Sequence, residues 1–169
     1  MTTRYRAPLA GDEAATLTGF LDHYRQVLLS LAGGLPDDAL RRRLVASDTT
    51  LLGLVKHLAY VERWWFRDIF TGEEVSYPWT DEDPDADFRI EPDEKTSDVL
   101  ALYRDECERS RKIVASASSL EERARKPGRE EYSLRWILVH MMEETARHAG
   151  HADILREQLG GNTGIGYSY

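Results

Sequence analysis

Apolar positions recur every three to four residues along four stretches of the chain, and no stretch alternates long enough to compete as a strand. The first stretch runs from about Asp12 to Leu31, with Leu17, Phe20, Leu21, Tyr24, Leu28 and Leu31 on one face and Gly33-Gly34 as a stop. His23 falls outside that face and is expected in solvent. A short helical turn should follow Pro36, whose ring suits the first turn of a helix. The second stretch runs from about Thr49 to Phe70, with Ser47, Asp48 or Thr49 as N-cap and Leu51, Leu54, Leu58, Val61, Trp65 and Ile69 inward. The third spans about Ser97 to Ser118 and turns Val99, Leu102, Tyr103, Ile113, Val114 and Ala117 to the core. Pro127-Gly128 then breaks the chain, Ser133 caps the fourth, and Gly160-Gly161 ends it near Leu159. The tail from Asn162 to Tyr169 carries turn chemistry. The pattern predicts an all-α fold, a helical bundle in which four long helices share one core.

Between the second and third helices lies a long acidic loop, residues 71–92, with three prolines and no periodicity. Loops of this length inside a compact domain are often functional. Tyr77, Trp79 and Phe88 argue that this one packs onto the helices.

Composition narrows the function. With 169 residues, 41% of them hydrophobic, the chain has apolar side chains for one core, so residues 1–169 are read as a single domain. The net charge of −8 repels phosphate backbones, which argues against a nucleic-acid partner. Arg41-Arg42-Arg43 is too short to reverse this and reads as a solvated helix end. A single cysteine, Cys107, excludes an intrachain disulfide framework and a cysteine-rich zinc module; it reads as inert packing. The N-terminal segment lacks the apolar block of a secretion signal, and no run approaches the ~20 apolar residues that span a bilayer. The expectation is a soluble, cytoplasmic protein with no membrane partner.

The fourth helix departs from binary patterning. At about 100° per residue, with His140 set to zero, His151 falls near ~20°, Glu144 near ~40° and His148 near ~80°. Ile137, Leu155 and Met141 occupy the same arc, so four ionisable groups run through the apolar face. A carboxylate facing a core costs several kcal/mol unless it is paired, hydrogen-bonded or bound to a cation. A divalent metal accounts for all four together, since i, i+4 spacing brings two ligands to one side of a helix. His57 stands on the inward shoulder of the second helix and offers a ligand from across the core. Each feature alone has an ordinary explanation: a hydrogen-bonded core histidine at His57, or local helix pairing between Glu144 and His148. A di-iron carboxylate site is excluded, because it needs inward glutamates on all four helices and the first has none. Glu106 and Ser110, on the inward arc of the third helix, are candidates either to hold a ligand histidine or to form a satisfied buried pair. No G-x-S-x-G, P-loop or G-x-G-x-x-G sequence occurs.

Two segments resemble the DinB/YfiT-like metalloenzymes: Leu52-Gly-Leu-Val-Lys-His57-Leu58, followed by Glu62-Arg-Trp-Trp-Phe66, and the fourth-helix run from Ser133 through His140, Glu144, His148 and His151 to Glu157. The likeness extends over essentially the whole chain and is nearest the actinobacterial branch once labelled mini-circle proteins. It implies an up-and-down four-helix bundle, a homodimer, and a zinc or nickel ion held by His57, Glu144 and His148. Glutamate at 144, where many relatives carry histidine, matches the branch that resembles mycothiol-dependent isomerases and thiol transferases. Many relatives have glutamine in place of His151, which leaves that residue as a donor behind a ligand or as an alternative ligand. The implied activity is S-transfer to a low-molecular-weight thiol such as mycothiol or bacillithiol. The metal would make the thiolate nucleophile, a small electrophilic substrate would enter past the 71–92 loop, and His140 or His151 would relay the proton. Hydrolysis by a hydroxide held on the metal, and a non-catalytic stress protein that binds a metal or small ligand, remain as alternatives.

Overall fold

A computed structural model describes residues 7–161; the N-terminal six residues and the tail from Asn162 to Tyr169 lie outside the described residues. Helix α1, Glu13–Ala32, starts where Asp12 accepts the Ala15 N–H at 2.7 Å, and it stops at Gly33. The short α2, Asp37–Leu40, follows Pro36. Helix α3, Leu51–Glu62, is capped by Thr50 rather than by Ser47, Asp48 or Thr49, and the Thr50 hydroxyl accepts the Gly53 N–H at 3.0 Å. It continues without a break into a wider, π-wound segment, Arg63–Phe70, and Gly72 closes that segment at φ 73°. Helix α4 covers Thr96–Ser116 and α5 covers Leu134–Gln158, the latter capped by Ser133 accepting from Trp136 N–H at 3.2 Å. Among the described residues there is no β-strand, only an isolated bridge between Arg123 and Ser133. The fold is all-α.

Helix α1 packs chiefly on α5, and α3 chiefly on α4; α3 also touches α5 and α1. The core draws on all four long helices, with Leu28, Leu52, Leu58, Phe66, Tyr103, Ile137, Leu138 and Met141 closed to solvent. Burying each of the leucines contributes about 2 kcal/mol. The π winding turns Trp65, Phe66, Ile69 and Phe70 inward together, on adjacent pairs that a regular α-helix would spread over a wider arc.

The observed faces depart from the sequence reading at several points. Phe20 is 36% exposed although it falls on the apolar arc of α1, while Arg25 on the same helix is buried because Glu62 waits across the core. His23 is half-buried, with its ring edge-on to Tyr24 at 5.3 Å, rather than in solvent. The arginine run is paired rather than merely solvated: Arg41 bonds Asp37 and the Glu91 carbonyl, Arg42 pairs with Asp38, and Arg43 with Asp48. No described helix is long and apolar enough to cross a membrane.

Residues 71–95 contain neither helix nor strand. Their aromatic side chains do pack on the helices. Tyr77 stacks on Trp79 at 4.2 Å, Trp79 meets Tyr60 and Trp64, and the Tyr77 hydroxyl donates to Asp68 at 3.0 Å.

Candidate metal centre

His57 leaves α3 one residue after the buried Lys56 and points toward α5. Its Nδ1 lies 2.8 Å from Asp87 Oδ2, so the carboxylate accepts the proton carried there. Its ring lies nearly parallel to Phe88, with centroids 3.9 Å apart and planes 16° apart. The opposite nitrogen, Nε2, faces Glu144 Oε1 at 3.6 Å, beyond hydrogen-bonding distance. That Nε2 is buried and has no hydrogen-bond partner.

From α5, Glu144 and His148 meet at 3.0 Å between Oε1 and Nε2, one turn apart as their spacing requires. The Glu144 carboxylate therefore sits between two imidazoles, and the rings of His57 and His148 stand edge to face at 4.9 Å. One ligand atom each from His57, Glu144 and His148 falls within 4.8 Å of the others. Two nitrogens and one carboxylate oxygen converging in this way could hold a borderline-soft divalent ion and leave a coordination position open. The orphaned His57 Nε2 is the strongest sign of fit, because a buried nitrogen with a free lone pair lacks the partner that such an atom normally has.

The charges agree. Burial works against a charged His57, but the hydrogen bond to Asp87 and the charges of Asp87 and Glu144 outweigh it and raise the pKa. The hydrogen bond from His148 and the His57 imidazole facing it hold the Glu144 carboxyl far below the usual carboxylate range. Two carboxylates against imidazoles make a site that favours positive charge.

His151 is exposed, with Nδ1 3.4 Å from His148 Nδ1, on the far side of the His148 ring from Glu144. Partial burial, then the His148 and Arg147 charges, lower its pKa. His140 stands apart from the three converging residues. Its ring stacks on Trp136 at 5.1 Å, meets Trp65 edge-on at 4.7 Å, and has Glu143 as its nearest carboxylate at 3.9 Å.

A model of the family described as mycothiol-S-transferase matches residues 16–161. The chain belongs to that family. No curated protein matches it. The family match covers every residue of the cluster.

The residue behind His57 escaped sequence reasoning. Glu106 stood as a candidate for holding a ligand histidine, yet its Oε1 accepts from Arg63 at 2.9 Å and from Arg67 at 2.8 Å. Asp87, from the acidic loop, has that place. The available signal was Phe88, an apolar residue in a charged loop that had to pack somewhere. Cys107 is buried, and desolvation pushes its thiol well above the ordinary range, as fits an inert side chain.

Proposed function

We propose that the protein is a divalent-metal-dependent S-transferase that joins a low-molecular-weight thiol of the mycothiol type to a small electrophile. The observation that carries this reading is the convergence of His57, Glu144 and His148 within 4.8 Å in a chain of the mycothiol-S-transferase family. A zinc or nickel ion held by these three side chains would supply a depressed thiol pKa, and hence a thiolate at neutral pH. The chain's own residues prepare for this. Asp87 holds the proton on His57 Nδ1 and leaves the Nε2 lone pair directed at Glu144. Glu144 contributes the one negative charge among the three ligands. With a metal on His148 Nε2, His148 Nδ1 would carry the proton and His151 Nδ1, 3.4 Å away, would accept it. His151, exposed and with a lowered pKa, is the better placed of the two relay candidates for passing the thiol proton to solvent. His140, the other candidate, packs against Trp65 and Trp136 instead.

In this reading the four long helices form an up-and-down bundle, the 71–95 segment is the long loop that borders the site, and two copies make a homodimer. Trp136, Val139 and Ile154, 45–55% exposed on α5, supply an apolar face for the second copy. A cytoplasmic setting suits a reaction that consumes reduced thiol.

The test is elemental analysis of untagged protein purified without chelator, beside His148→Ala, followed by thiol consumption with a panel of electrophiles. About one zinc or nickel per chain, absent from the variant, is expected for a three-ligand site. Metal-free protein after zinc addition sinks the proposal. Loaded protein that consumes no thiol removes the transferase and leaves the metal centre standing.

A further inference from the structure

The loop before α4 reaches the site through one short turn, in which the Phe88 N–H donates back to the Asp85 carbonyl at 3.0 Å. Three residues of α3, at positions i, i+3 and i+4, receive this turn on one helical face. At Gly53 an added Cβ would lie well inside van der Waals contact with the Phe88 carbonyl oxygen, a backbone atom with little room to yield. Gly53 has no positive φ, and alanine is the better helix former, so close approach of the loop is what calls for glycine there. Lys56, only 3% exposed, donates its ammonium to the Arg89 carbonyl at 2.8 Å and pairs with Glu94 at 2.8 Å. His57 then takes Asp87 on Nδ1 and Phe88 across its ring face. Asp87 is itself 5% exposed, a buried carboxylate whose contact is a ring nitrogen of the site.

We propose that residues 85–89 form a strap that positions His57 as a metal ligand: Gly53 and Lys56 seat it, Asp87 fixes which ring nitrogen presents its lone pair, and Phe88 fixes the ring plane. The inference rests on the metal-centre reading and adds to it. Asp87, Gly53 and Lys56 are positioning residues that act through His57. A carboxylate behind a ligand histidine raises its basicity and holds its orientation, and removal typically weakens metal affinity by roughly 10–100-fold.

The experiment is zinc affinity, by competition with a chromogenic chelator, for full-length protein and for Asp87→Ala, Asp87→Asn, Gly53→Ala and His57→Ala. Cobalt(II) absorption spectra report coordination geometry, and far-UV CD reports the helices. Asp87→Ala and Gly53→Ala should weaken zinc binding by roughly 10–100-fold and alter the cobalt spectrum while the helical signal holds. Asp87→Asn, which keeps an acceptor in the same place, should recover part of the loss. Zinc affinity within twofold of wild type in both Asp87→Ala and Gly53→Ala, with His57→Ala still losing the metal, overturns the strap. Stoichiometric zinc in His57→Ala overturns the metal-centre reading instead. Should either larger change fail to fold, Asp87→Asn decides: a several-fold weakening supports the strap and an unchanged affinity overturns it.

Discussion

Helix α3 takes part in two buried polar clusters, little more than a helical turn apart, and they are built on opposite principles. At Glu62 the carboxylate grips Arg25 of α1 with two bonds, Nε to Oε1 at 2.7 Å and Nη2 to Oε2 at 2.6 Å. Arg25 also donates to Asp22 at 2.8 Å, and Arg111 of α4 donates to the same Asp22 oxygen at 2.9 Å. Two guanidinium groups face two carboxylates, and no buried nitrogen or oxygen of Arg25 or Glu62 lacks a partner. At His57 the cluster is shallower, with 14% of the side chain exposed against 1% for Glu62, and the donor atoms converge without saturating one another. The two clusters differ in depth, and they differ further in how fully their polar atoms are satisfied. A closed, charge-balanced network holds helices together, whereas an unsaturated one keeps donor atoms available, as the proposed metal centre requires.

Breaking the closed cluster should have the largest effect. Glu62→Ala strands a buried guanidinium and should cost about 3–5 kcal/mol in urea unfolding while metal content per folded chain stays the same. A loss under about 1 kcal/mol would mean that Arg25 finds another partner, and the contrast would blur. The open cluster should respond the other way round. His148→Ala should abolish stoichiometric metal yet move stability of the metal-free protein by no more than about 1 kcal/mol, read by elemental analysis and chemical denaturation. Adding zinc sharpens the difference: at 100 times its dissociation constant it should stabilise the wild type by about 2.7 kcal/mol and His57→Ala not at all. Equal stabilisation of both would place the ion elsewhere. A smaller effect is expected from His151→Gln, which keeps a hydrogen-bonding group beside His148. Metal should be retained with affinity lowered by at most roughly tenfold, and complete loss would promote His151 to a ligand. Smallest of all, Arg42→Ala removes an exposed pair with Asp38 and should change stability by less than about 0.5 kcal/mol.

The two clusters were unequally legible in sequence. Glu144 and His148 announced themselves because they interrupt an apolar arc at helical spacing, and helical spacing is a local property. His57 was visible for the same reason on α3. Arg25 passed unnoticed, since a single charged residue near a helix face reads as solvated until its partner 37 positions away is known. Asp87 was hidden more deeply, one acid in an acidic loop without periodicity, and Gly53 resembled an ordinary weak point in a helix. Phe20 and His23 were assigned to the wrong environments because an ideal helical wheel does not say how far neighbouring helices extend around it.

Helix positions and stops, the Ser133 cap, most of the apolar faces, and the polar stripe on α5 follow from the order of residues along the chain, because backbone hydrogen bonding and side-chain direction repeat every 3.6 residues. The change to π winding after Glu62, the gripping of Arg25, the seating of the 85–89 turn on Gly53 and the approach of His57 to Glu144 were settled only when the helices packed. Each joins groups distant in sequence, or follows from how one helix meets another, and such contacts form where burial of the whole core outweighs the cost of ordering a loop or closing in a charge.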